Sequence, residues 1–438
     1  MRVEPIIPSA ARTVGSLRNV GYEAPQAIAD LIDNCIAAGA SEVDVDIRFE
    51  GRMSWIRVAD NGTGMTAAVL TEAMRYGSER RYASDDLGRF GFGLKTASTS
   101  QCRRVSVASR TSQSRARIEA RCLDLAHIER TNRWEVLVLD SDGRPDKLIQ
   151  PLDSHTGTVV LWDQLDRVLA YEDPFGGWAR RRMLALAEEV DAHLGMVFHR
   201  FLAGEVRGRP LRIRLNRTRV EPWDPFCLDE KTTETLPPED IAVDVPGGGG
   251  VVRISPYVLP PQAEFSSEAA WRRASGPARW NRQQGIYVYR AHRMIQSGGW
   301  CGMRTFDEHS KLARVALDFF PDLDDAFGIN ISKAIVRLPP ELRSNMERLV
   351  TAVTRRAQDR YRAGDAGVRR HGSSSPGAGG HAAGGHAGTN GRRGRSTAAV
   401  ARTAIEGAAD RVGERRALTK IVSELRKTEP VVADALGW

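Results

Sequence analysis

Three short stretches carry residue types whose spacing could do chemistry together: Asp30-Leu31-Ile32-Asp33-Asn34, Asp60-Asn61-Gly62-Thr63-Gly64, and Gly88-Arg89-Phe90-Gly91-Phe92-Gly93-Leu94-Lys95. An acid and an Asn four residues apart share one face of a helix, where Asp30 can handle a water proton and the Asn34 amide oxygen can hold Mg²⁺. Asp33 is a second carboxylate, expected roughly 100° around the helix and so in a supporting place. The two glycine-rich turns supply what side chains cannot. Without Cβ atoms, backbone at Gly62 and Gly64 can approach a purine, with Asp60 accepting from an exocyclic amine as adenine requires. Gly88, Gly91 and Gly93 can form a nest of N–H groups around phosphates, at the N-terminus of a helix that begins near Gly93. Met65, Phe92 and Leu94 join these as expected nucleotide contacts. Lys95 either adds a point charge there or faces solvent as an ordinary helix lysine.

The elements that must position these groups are readable from periodicity. Ala24, Ala27, Ile28, Leu31, Ile32, Cys35 and Ile36 recur at helical spacing, which predicts a buried-face helix over 23–38. Val43, Val45, Ile47 and Phe49 alternate as a strand, and a second strand over 55–59 delivers Asp60 to its turn. A short helix capped by Thr66 follows, then the polar, glycine-flanked stretch 76–89, where a mobile lid is expected. Strands are expected near 105–109, 116–120, 134–139 and 157–162, the last opening with Gly157-Thr158. The expected fold class is α/β, an α+β two-layer sandwich with helices on one face of a mixed sheet.

A D-x-G-x-G match alone is often an ordinary surface turn, but the three boxes in this order resemble the ATP site of the GHKL superfamily, which includes gyrase B subunits, MutL, MORC proteins, the large heat-shock chaperones and histidine kinases. The resemblance covers residues 11 to 165. It implies a Bergerat ATP-binding domain over 1–175, with ATP and Mg²⁺ as cofactors and Thr158 closing the adenine pocket. Two positions depart from the family pattern. Asp30 stands where gyrase B, MutL and MORC carry Glu, which implies slow hydrolysis, and Ala37 stands where Asp is frequent.

Beyond Trp178 the pattern becomes a long helix through Leu202 and then further strands. Gly285 to Ile295 (GIYVYRAHRMI) is similar to the hairpin of MORC and MutL transducer domains, with Ala291 and His292 in place of the usual Asn-rich turn. A transducer-like βαβ domain over 176–362 is therefore expected. Residues 321–340 read as a strand from which Lys333 projects, and the resemblance implies that Lys333 reaches the γ-phosphate. A flexible linker, 363–396, and a helical C-terminal segment, 397–438, follow.

The chain has 438 residues, a net charge of +8 and 41% hydrophobic content, enough for two or three domains with sizeable cores. Its five cysteines lack any C-x-x-C pairing, which points away from a zinc cluster or disulfide framework. No leader or membrane-spanning run is evident, so a cytoplasmic location is expected. The linker holds 11 glycines and five arginines against one acid; it reads either as a solvated tether or as a basic strip that neutralises DNA phosphates. The resemblance implies a homodimer formed on ATP binding, acting as a clamp in a DNA-related process such as restriction or phage defence. A nucleotide-gated module without hydrolysis and a chaperone-like ATPase are the competing readings.

Overall fold

The computed structural model describes residues 3–4, 6–19, 21–77, 93–111, 117–170, 173, 175–245, 248–329, 336–371 and 415–428. The chain divides into two compact units, 1–374 and 375–438.

The first unit contains two sheets. Strands β1 (Glu42–Arg48), β2 (Trp55–Asp60), β3 (Arg104–Arg110), β4 (Glu119–Asp124), β5 (Leu137–Val138), β6 (Gly157–Asp163), β7 (Arg212–Leu215) and β8 (Thr218–Arg219) lie in the order β5-β4-β3-β6-β2-β1-β7-β8. All neighbours run antiparallel except β1 and β7. Alternation gives the sheet two different faces. Val43, Val45, Ile56, Val58, Val105, Val107, Val160 and Trp162 join the helix-covered core. Ala59, Ala108, Val159 and Leu161 face a smaller core closed by Leu139, Leu148 and Leu152. The α/β two-layer architecture is thus the observed fold class.

Helices α1 (Ala10–Leu17), α2 (Ala24–Ala37), α3 (Ala67–Ala73) and α4 (Gly93–Thr99) sit among the elements of this layer. Glu23 and Gln26 form a capping box at the start of α2, and Pro25 occupies its first turn, where a missing N–H costs nothing. Thr66 caps α3 through Val69 N–H, as expected. The division expected after residue 175 cuts through this layer. The long helix Gly177–Val197 contributes Met183, Leu186, Val190 and Leu194 to the same core, and β7 extends the same sheet. Periodicity identifies a helix but not the neighbour it packs on.

The second sheet comprises β9 (Glu234–Thr235), β10 (Glu239–Val245), β11 (Gly248–Val258), β12 (Gly285–Arg290), β13 (Arg293–Gln296) and β14 (Ala313–Phe319), ordered β10-β11-β14-β12-β13 with β9 on β11. It carries its own core, against which Leu342, Met346, Val350 and Val353 of the helix Pro340–His371 pack. That helix runs past the end expected near Arg362. In the stretch expected as a strand, Pro321–Leu323 is a short 3₁₀ turn, and 330–335, with Lys333, lies outside the described residues. Most of the Gly-rich linker also lies outside them. In the second unit, the helix Arg415–Thr428 is described. Among the described residues, no helix is long and apolar enough to cross a membrane.

Candidate functional site

The turn after β2 is held by bonds to the start of β1, the end of α2 and the start of β6. Asn61 Oδ1 accepts from the backbone N–H groups of Ser41 and Glu42 at 2.9 and 3.0 Å, which ties the turn to the start of β1. Thr63 N–H donates to the Ala38 carbonyl at the end of α2 at 3.0 Å. Asp60 Oδ1 accepts from Gly62 N–H at 2.8 Å and Thr158 N–H at 3.3 Å. Three of the expected residues therefore meet at one carboxylate. Burial, opposed by these hydrogen bonds and one from Cys35, raises the Asp60 pKa from 3.8 to about 6. Burial and the neighbouring Asp60 carboxylate push the Cys35 thiol well up in turn.

The glycines here are required by space. A Cβ on Gly62 would lie 2.8 Å from Ala38 O, and Gly64, at φ +69°, would press one to 2.1 Å from Arg110 O. Gly157, at φ +142°, would bring a Cβ to 1.9 Å from Asp60 O. Ser109 joins the turn to β6: its hydroxyl accepts from Met65 N–H at 2.7 Å, lies 2.9 Å from Gly157 O and 3.0 Å from Thr158 Oγ1. Ser109 is absent from the boxes because it sits near the end of β3, where a buried Ser has no distinctive spacing.

On α2 the outcome differs from the expectation. Asn34 is exposed, and its amide N–H donates to Asp30 O at 3.1 Å, leaving the oxygen that would hold Mg²⁺ outside that bond. Asp30 does not share this exposed face; its side chain is only 4% exposed. Its Oδ2 accepts from the Tyr22 hydroxyl at 2.8 Å and its Oδ1 from Arg293 Nη2 at 3.3 Å. Asp33 accepts from Nε of the same arginine at 2.8 Å. The expectation that Asp33 points away fails because three residues at about 100° each return to within about 60° of the start. One planar guanidinium therefore spans both acids.

Arg293 comes from the second sheet, and the first 95 residues give no hint of it. The available signal is the pair of arginines bracketing Ala291-His292. Arg290 and Arg293 are cross-strand partners around a two-residue turn whose centre, at φ 47° and 69°, is left-handed twice without a glycine. Such backbone costs on the order of 1–3 kcal/mol per residue and persists where surroundings over-determine it. Arg290 supplies that determination on one side through two bonds to Asp324, at 2.6 and 2.8 Å, and Ala291 is buried in the first core on the other. His193, half-buried near Arg293, has its pKa lowered to about 4, by desolvation first and then by that cation.

Lys95 is also relocated. It is 3% exposed, and its ammonium donates to Ala73 O, at the C-terminus of α3, at 3.0 Å. A helix C-terminus is a favourable place for a cation, and burial lowers its pKa to about 8. Gly93 and Leu94 open α4 as expected, while Gly88, Gly91 and Phe92 lie outside the described residues.

These residues fit a Mg-nucleotide. The Asp60 carboxylate sits at a turn with no room for a Cβ on Gly62 or Gly64, and α2, whose end bonds to that turn, carries the exposed Asn34. Among the described residues, no group of three or more His, Cys, Asp or Glu forms a metal cluster.

A family model described as "Histidine kinase-, DNA gyrase B-, and HSP90-like ATPase" matches residues 22–157. The chain is 34% identical over 118 residues to the DNA mismatch repair protein MutL of Shewanella halifaxensis, covering 26% of this chain and 18% of that protein. It is 27% identical over 245 residues to MutL of Trichlorobacter lovleyi, 56% and 37% of the two chains, and 28% identical over 178 residues to MutL of Haemophilus influenzae, 40% and 24%. The chain thus spans well under half the length of these relatives. With the Asp60 turn and Thr158 meeting beneath α2, the N-terminal part of this chain belongs to the GHKL ATPase superfamily in its MutL-like pattern.

Proposed function

We propose that the chain binds Mg-ATP between α2 and the Asp60 turn and hydrolyses it slowly. The observation that supports this best is the single carboxylate on which Gly62 and Thr158 converge, next to the helix that carries Asn34. Asp60 reads the adenine amine, Asn34 holds Mg²⁺, and Asp30 takes the water proton. Bound Mg²⁺ supplies charge neutralisation of the phosphates, so the protein's work is positioning. Lys333 is proposed to contact the γ-phosphate, and ATP to drive two copies into a clamp that acts on DNA. The MutL relatives, described as mismatch repair proteins, support the DNA association; restriction or phage defence is the proposed context, and the cytoplasm the proposed location. The basic stretch 363–396, whose first residues continue the helix to His371, is proposed as a DNA contact.

A nucleotide-gated module without turnover is the second reading, favoured by the inward-turned, doubly bonded Asp30. The decisive experiment measures Mg²⁺-dependent ATP binding, turnover and oligomeric state for the native chain, Asn34→Ala and Asp30→Asn. Binding is expected to fall at least tenfold in Asn34→Ala. In Asp30→Asn, turnover is expected to fall about 100-fold or more with binding kept. Tight binding without native turnover selects the second reading, and absence of binding overturns both.

A further inference from the structure

Arg293 lies 263 residues downstream of Asp30, yet its side chain closes the interior face of α2. The guanidinium is 6% exposed and the two carboxylates it bridges are 4% and 1% exposed. Burying a cation and two anions is tolerated where their bonds fix one geometry. The bonds are graded: the short one, 2.8 Å, goes to Asp33 and the longer, 3.3 Å, to Asp30. Arg293 also stands 5.8 Å from the centre of the Phe198 ring, which limits its alternative rotamers. Asp30 is thus oriented by Tyr22 on one oxygen and by the second sheet on the other, and neither donor belongs to α2. A second tie runs in parallel, since Arg200, just beyond the long helix, pairs with Asp318 of β14.

We propose that Arg293 is a positioning residue for hydrolysis: anchored on Asp33, it fixes the orientation of the Asp30 carboxylate and so lets the β12–β13 hairpin govern turnover. This rests on the reading of Asp30 as the base. Asp30 is shorter than the Glu it replaces, so an external group that fixes its carboxylate has more to contribute. The doubly left-handed turn behind Arg293 makes the hairpin a rigid arm.

The test uses the full chain with Mg²⁺, ATP and a fluorescent ATP analogue, measuring kcat, Kd, thermal stability and amide exchange over 285–296. Arg293→Gln is expected to lower kcat at least tenfold with the analogue's Kd within about threefold. Arg293→Lys recovers part of the rate, because an ammonium keeps the charge but cannot span two acids in one plane. Asp33→Asn, which removes the anchor and keeps its size, lowers kcat about three- to tenfold. Exchange over 285–296 responds to the analogue in the native chain and not in Arg293→Gln. Should Arg293→Gln fail to fold, Asp33→Asn decides, and in a chain that binds without turnover the exchange response decides. Native kcat in both variants, or equal losses in kcat and affinity, overturns the role of Arg293. Asp30→Asn run alongside separates the levels: unchanged turnover there removes the base assignment itself, whereas abolished turnover with native Arg293→Gln removes only the positioning role.

Discussion

The two ends of the candidate site are built in opposite ways. At the Asp60 end, the turn, Gly157, Thr158 and Ser109 belong to one sheet and are joined by bonds to the Asp60 carboxylate and the Ser109 hydroxyl, with no room for a Cβ on Gly62, Gly64 or Gly157. At the Asp30 end, the carboxylate depends on Tyr22 before α2 and on Arg293 from another sheet. On the proposed reading, nucleotide recognition rests on one sheet, while the chemistry is assembled across two. A chain built this way can bind before it is able to turn over, so a change in the second sheet can alter rate without altering affinity.

Three substitutions at the Asp60 end sharpen this contrast. Gly157→Ala should have the largest effect, because its Cβ would meet Asp60 O at 1.9 Å in a backbone conformation that L residues avoid. A loss of about 3 kcal/mol or more is expected, read as a lower urea midpoint, together with loss of ATP binding. A variant with native stability would show that the turn is softer than its packing implies.

Asp60→Asn is expected to lower ATP affinity at least tenfold and to raise stability at neutral pH. The sign follows from the raised pKa. The folded state binds the Asp60 proton more tightly than the unfolded chain, so ionisation costs stability above about pH 6, and the cost is relieved as pH falls toward 4. The advantage of Asp60→Asn in thermal melts should therefore shrink on acidification, and native ATP affinity should fall below about pH 6. A gap that does not depend on pH would remove burial as the cause.

Ser109→Ala should cost least, about 1–2 kcal/mol, since it leaves Met65 N–H and Gly157 O without their shared partner. Turnover per bound ATP should not change. If kcat falls while affinity holds, the two ends are coupled more tightly than their separate construction implies.

Much of this was legible in the residues. Asp60, Gly62 and Gly64 follow from a strand that ends in a glycine-rich turn, Thr158 was legible only through the family resemblance, and the helical period of α2 fixes where Asn34 lies. The direction of Asp30 was not legible. Periodicity places it at a position on α2, but which side of the helix is covered depends on the long helix and on a hairpin far downstream. Lys95 shows the same limit, because its partner is the end of α3, a neighbour that spacing cannot name. The expected boundary at 175 missed for a related reason: β7 adds to the edge of β1 as a parallel strand, a long-range pairing with no local signature.

The sequence by itself determined the superfamily resemblance and the two-layer fold class, the first through three motifs in a fixed order and the second through helical and strand periods that leave little choice. Only the tertiary structure decided that the Asp30 carboxylate turns inward to a guanidinium from the second sheet, because ion pairs between distant segments are selected by packing and desolvation rather than by any property of the neighbouring residues.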